Sequence, residues 1–150
     1  GEIVSAALMA MTIQSMGYKA VALTGPQAGV VTEDLFNRAR IQSVDTSAML
    51  AHLEAGAIVV VTGFQGQNGR GDFTTLGRGG SDTTAVALAA ALQADRCDIF
   101  TDVPGVFSTD PRMVADAVKL PEIAYIEMME LARLGAKVLH PRSVETARRG

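Results

Sequence analysis

Residues 57–61 read Ala-Ile-Val-Val-Val, with no polar member. An unbroken apolar, β-branched run belongs to a strand covered on both faces, which constrains the fold more than any other segment of this chain. Residues 82–94 are alanine-rich and apolar nearly all round, predicting a buried helix, and Asp98-Ile99-Phe100-Thr101 is the next strand candidate. Strand, helix, strand in that order predicts a right-handed βαβ crossover in a parallel sheet. The rest of the chain continues the alternation. Ile3, Val4, Ala7, Leu8 and Met11 share a helical seam that Gly17 closes, and residues 21–23 read as a short strand ending at Gly25-Pro26. Asp45-Thr46-Ser47 offers an N-cap for a helix to about Glu54, closed by Gly56. Pro104-Gly105 and Asp110-Pro111 mark loops, residues 127–134 a helix ended by Gly135, and residues 143–149 a last helix. The fold class expected is α/β, a three-layer αβα sandwich with a mainly parallel sheet.

Composition narrows the function classes. With 48% hydrophobic and 19% charged residues the chain is globular, and no apolar run approaches the roughly 18–20 residues of a membrane span. The net charge is −3 and neither half is basic, so no nucleic-acid partner is expected. Cys97 is the one cysteine, which excludes an intramolecular disulfide and a cysteine zinc site and favours a reducing, cytoplasmic setting. The apolar stretch 3–13 is preceded by Glu2 instead of Lys or Arg, and its seams are helical, unlike a signal-peptide core. His52 and His140 lie far apart without carboxylates at ligand spacing, so no metal is assigned to them. Met9, Met11, Met16, Met128 and Met129 read as core or helix-packing residues, and the basic stretch 133–149 as a solvated helix face. The helix around Met49 and His52 is a candidate contact surface. The start at Gly1, entering a helix at once, reads like a piece of a longer protein.

The candidate site is the connection at residues 63–80, about eighteen residues with seven glycines, far longer than the roughly 2–6 of a plain βα turn. It leaves the carboxyl end of a buried strand and delivers Gly77-Arg78-Gly79-Gly80-Ser81-Asp82 to a helix N-terminus, the binding edge of an open α/β sheet. Glycines let backbone approach a ligand, and free N–H groups with the helix dipole favour anions. Two common phosphate fingerprints fail here. A Walker A loop needs GxxxxGK[ST], and no lysine follows Gly80. A dinucleotide loop needs a small residue where Asp82 stands.

The stretch Thr74-Thr75-Leu76-Gly77-Arg78-Gly79-Gly80-Ser81-Asp82-Thr83-Thr84-Ala85 resembles the signature loop of the aspartokinases, within the amino-acid kinase family. The likeness covers nearly the whole chain. Gly1-Glu2 resembles the family's substrate-loop GE, Thr24-Gly25-Pro26-Gln27-Ala28-Gly29 its TGxQAG, and Gly63-Phe64-Gln65-Gly66 its GFQG turn. Thr101-Asp102-Val103-Pro104-Gly105-Val106-Phe107, with Asp110-Pro111-Arg112, resembles TDVxGxYxxDPR; Ala136-Lys137-Val138-Leu139-His140-Pro141 resembles AKVLHP.

The resemblance implies transfer of the γ-phosphoryl of ATP, carried with Mg2+, to the β-carboxylate of L-aspartate, the first step toward lysine, threonine and methionine. A carboxylate with a pKa of about 3.9 is already ionised at neutral pH, so the acceptor needs no base, and the demand is for cations and positioning. By resemblance Lys137 and Asp82 are the catalytic pair, the lysine at the transferring phosphoryl and the aspartate organising it. Arg78 is assigned to the α-carboxylate of aspartate, its planar fork suiting a carboxylate, and Glu2 to the ammonium, with Gly79, Gly80 and Ser81 lining the substrate loop. Thr101, Asp102, Phe107, Asp110, Arg112, Lys137 and Val138 are assigned to ATP. Phe107 stands where the family has Tyr, which keeps the ring and loses the hydroxyl.

The family's KxGG strand and regulatory ACT domains have no counterpart here, so residues 1–150 are expected to be a partial, inactive kinase domain and the full protein a homo-oligomer. Two alternatives stand beside an aspartate kinase. One is another amino-acid kinase acting on a glutamate derivative, carbamate or nucleotide, and the other is a non-catalytic nucleotide-binding module.

Overall fold

A computed structural model describes residues 1–134 and 138–149. Its elements are α1 (Glu2–Ser15), β1 (Ala20–Leu23), β2 (Val30–Thr32), β3 (Ile41–Val44), α2 (Ser47–Glu54), β4 (Ile58–Val61), β5 (Gln65–Gln67), β6 (Phe73–Thr75), α3 (Gly80–Ala91), α4 (Tyr125–Leu134) and α5 (Pro141–Arg149). The fold is α/β, with its strands divided between two sheets.

The first sheet is the parallel pair of β1 and β4, in the register Val21↔Val59 and Leu23↔Val61. Because side chains alternate along a strand, those four residues share one face, and they pack with Met49 of α2, Leu88 of α3 and Leu92 just past its end. Met49, 1% exposed, lies in this core, so α2 does not offer it as a contact surface. The opposite face takes α1, which contacts both strands. Ala6 and Ala10, one turn apart, are its buried residues. Small side chains let the helix approach the sheet closely, so the face expected from sequence is not the one that packs. Ile3, Val4, Leu8 and Met11 are exposed, as are Met9 and Met16, contrary to their reading as core residues, while Met128 of α4 is buried as expected.

α1 and α2 each end in a Schellman motif. Gly17 N donates to Gln14 O and Tyr18 N to Ile13 O; Gly56 N donates to Leu53 O and Ala57 N to His52 O. The turn after Gly17 sends the chain straight back into β1, with Gln14 Nε2 donating to Ala20 O at 2.8 Å. α1 therefore runs back along β1 and overshoots it, roughly 21 Å of helix against roughly 13 Å of strand. Its N-terminus stands at the carboxyl edge of β1 and β4.

The second sheet has the order β3-β2-β5-β6, with β2 antiparallel to β3 and parallel to β5, and β5 antiparallel to β6. The connection at 63–80 is thus a β-hairpin between two short linkers. Asn68 Oδ1 accepts from Arg70 N and Asp72 N at its tip, Arg70 reaches Asp34 at 2.6 Å, and the Thr32 and Thr74 hydroxyls meet at 2.6 Å in the interior.

The crossover also differs from expectation. Residues 98–101 form no strand, and Phe100 is 94% exposed. A strand exists only through its neighbours, and among the described residues no backbone group of this tetrapeptide bonds a strand. The parallel partner of β4 is β1, reached through α2. No helix among the described residues is long and apolar enough to cross a membrane.

Candidate functional site

The site is built where β4, the hairpin and α3 meet. Directly after β4 and Gly63, Phe64 adopts φ +72, a left-handed conformation that costs a non-glycine residue about 1–2 kcal/mol. Two hydrogen bonds hold it there: Phe64 N donates to Thr84 Oγ1 at 3.1 Å and Phe64 O accepts from Leu76 N at 3.0 Å. The Thr84 hydroxyl, buried in α3, donates in turn to Gly80 O at 2.8 Å. The Thr84 hydroxyl thereby ties the entry of the hairpin to the first turn of α3, and Phe64 O holds the returning arm through Leu76.

Beyond Leu76 the chain turns through Gly77 and Gly79, both at positive φ, and Gly79 is the N-cap of α3 at φ +71. Gly80 N donates to Gly77 O at 3.0 Å, and Thr83 donates to Gly79 O through both its N–H and its hydroxyl. No side chain caps this helix, and among the described residues the N–H groups of Ser81 and Asp82 have no acceptor. Those amides and the positive end of the α3 dipole converge on the loop, the standard arrangement for an anion. Ser81 is the second residue of α3 and is exposed. Arg78 is exposed on the loop and Asp82 half-buried in the first turn of α3; neither has an ion-pair partner among the described residues.

The loop is braced from behind by the chain that opens α5. His140 packs against Gly79, and Arg142 Nη1 donates to Leu76 O at 3.0 Å across sixty-six residues of sequence. Arg142 is therefore part of the loop's support and not of a solvated face.

The other expected site residues lie in two further places. Glu2 opens α1 at the same sheet edge, exposed, with no hydrogen bond or ion pair to Arg78. Thr101 and Asp102 are exposed and bond each other at 3.3 Å. Asp110 and Arg112 are joined by a two-pronged contact, Arg112 Nε to Oδ1 at 3.0 Å and Nη2 to Oδ2 at 2.8 Å, which raises the guanidinium pKa. Phe107 faces Lys119 across an antiparallel bridge. Ile99 and Val106 line an apolar cavity of about 180 Å3 together with Val86 of α3, Met128 of α4 and Val144 of α5. Val138 is half-buried, and Lys137 lies outside the described residues. No hydrogen bond joins the 101–112 residues to the 77–82 loop among the described residues.

Sequence reasoning missed the roles of Phe64, Thr84, His140 and Arg142. Pro141 at the first position of α5 is a legible helix start. A left-handed phenylalanine and a contact spanning sixty-six residues leave no local pattern.

The model of the amino acid kinase family matches residues 1–150. This chain belongs to the amino acid kinase family. Within that family it is 62% identical over 148 residues to an aspartokinase of Geobacillus stearothermophilus, covering 99% of this chain and 36% of that protein. It is 61% identical over 148 residues to aspartokinase 2 of Bacillus subtilis, again covering 99% and 36%. Among solved structures, E. coli aspartokinase III in complex with aspartate and ADP superposes with a TM-score of 0.87 at 41% identity, covering 99% of this chain and 34% of that one. The chain thus spans about a third of the length of the aspartokinases it matches.

Proposed function

We propose that this chain is part of the catalytic domain of an aspartate kinase, in which the β-carboxylate oxygen of L-aspartate attacks the γ-phosphorus of ATP. The bond from that phosphorus to the β,γ-bridging oxygen breaks, ADP leaves with the electron pair, and 4-phospho-L-aspartate forms. The observation that carries the reading is the α3 corner, where Arg78 and Asp82, without an ion-pair partner among the described residues, flank the amides of Ser81 and Asp82 at the carboxyl edge of β4. The likeness to a structure that holds aspartate and ADP supports the same substrates here.

Arg78 takes the α-carboxylate of aspartate, Glu2 its ammonium, and the α3 amides with Gly79, Gly80 and Ser81 shape the pocket. Lys137, three residues before His140 in sequence, supplies the cation at the transferring phosphoryl, held in register by Asp82. Thr101, Asp102, Phe107, Asp110, Arg112 and Val138 hold the nucleotide, and Mg2+ arrives on its phosphates. The full-length protein is a cytoplasmic homo-oligomer in this reading.

Steady-state kinetics of the full-length protein carrying this chain test the proposal. Arg78→Ala raises the KM for aspartate by ten-fold or more, about the loss of one charge-assisted pair, with the KM for Mg-ATP nearly unchanged. Equal effects on both substrates would contradict the assignment.

A further inference from the structure

Lys119 stands opposite Phe107 on the nucleotide loop. Ser108 N donates to Val118 O at 2.9 Å and Leu120 N to Val106 O at 2.9 Å, so the Phe107 and Lys119 pair between them is a non-hydrogen-bonded antiparallel pair. In such a pair the two α-carbons are only about 4.5 Å apart and the side chains leave on the same face. The lysine stem then lies over Gly105: a β-carbon at that glycine would meet Lys119 Cε at 2.8 Å and Nζ at 3.5 Å. Gly105 has φ +139, where other residues are strained, and its missing side chain is the space the lysine occupies. No carboxylate pairs with Lys119 among the described residues. Lys119 is exposed, and its ammonium lies beside Gly105 on the 101–107 loop, on the same face as the ring of Phe107.

We infer that Lys119 is a nucleotide-binding residue whose ammonium contacts the phosphate chain of the nucleoside triphosphate while Phe107 carries its apolar part. The inference rests on the nucleotide reading of the 101–112 segment. The stem packed over Gly105 carries the exposed ammonium beside the loop and onto the face of the Phe107 ring, where a phosphate oxygen can reach it. The compact ammonium suits a phosphate oxygen as a point charge.

Lys119→Met and Lys119→Arg in the full-length protein separate the two roles, since Met keeps the stem and removes the charge whereas Arg keeps both. The expected result is a KM for Mg-ATP raised about tenfold in the Met variant with kcat within about twofold, and near-wild-type values in the Arg variant. ADP affinity falls in parallel and adenosine affinity does not. A Met variant equal to the wild type, or one that loses adenosine as much as ADP, overturns the role of Lys119 and leaves the nucleotide reading intact. A folded wild type without affinity for Mg-ATP overturns both.

Discussion

A β-carbon on Gly79 would collide with Cβ of His140 and sit 2.7 Å from its Cγ, so the glycine loop at 77–80 and the segment that opens α5 are in direct van der Waals contact. With Arg142 bonded to Leu76 O on the same side, the glycine loop is a packed corner supported by the chain that follows Lys137 in sequence. The abundance of glycine there reflects close packing and positive φ at once.

Gly79→Ala must therefore both displace His140 and force an alanine to φ +71. The left-handed conformation costs about 1–2 kcal/mol and overpacking about 1–3 kcal/mol. Urea denaturation of the full-length protein should show a loss of about 2 kcal/mol or more, and kcat/KM for aspartate should fall with it. A variant as stable as the wild type would mean that the corner is loose.

Thr84→Val keeps the shape of a buried side chain and removes the hydroxyl that serves Phe64 N and Gly80 O. Leaving the Phe64 amide without a partner costs about 1–3 kcal/mol. Amide hydrogen exchange at Phe64 should accelerate well beyond the change at β1 and β4. Uniform acceleration across the domain would show that Thr84 acts through global stability alone.

Much of this architecture is legible in the sequence where the signal is local. Gly17 and Gly56 mark the ends of α1 and α2 through their C-terminal bonding patterns, and the β-branched 57–61 run contains β4. The second sheet is illegible because its signal is not apolar periodicity. β5 is Gln65-Gly66-Gln67, and it is a strand because β2 and β6 bond it on either side. The reverse holds at 98–101, where strand-like composition finds no neighbour among the described residues. The Gly77–Asp82 corner is placed correctly from its glycines and the helix that follows, whereas its braces come from Thr84, His140 and Arg142, residues brought in by tertiary contact.

Asp45 accepts from both the N–H and the hydroxyl of Ser47 at the start of α2, and these bonds lower its pKa below the ordinary 3.8. A lowered folded value means a stabilising contribution that is complete above the unfolded pKa and disappears as pH falls through the folded one. The difference in urea midpoint between wild type and Asp45→Ala should be constant from about pH 5 to 8 and shrink on acidification below 3.8. A difference that grows in acid contradicts a stabilising role for these bonds.

Asp110→Asn removes the charge that holds the Arg112 guanidinium in its two-pronged contact. If the segment holds the nucleotide as proposed, the KM for Mg-ATP of the full-length protein should rise several-fold, with kcat and the KM for aspartate little changed. A matching rise in the KM for aspartate would place the pair elsewhere.

The most direct measurement traps the acyl phosphate with hydroxylamine while the full-length protein carrying this chain turns over Mg-ATP with L-aspartate, with glutamate and N-acetylglutamate as competing acceptors. The account predicts hydroxamate from aspartate alone, abolished in Lys137→Ala and restored toward wild type at high aspartate in Arg78→Ala. Hydroxamate from another acceptor, or none from a folded protein that binds Mg-ATP, would contradict it.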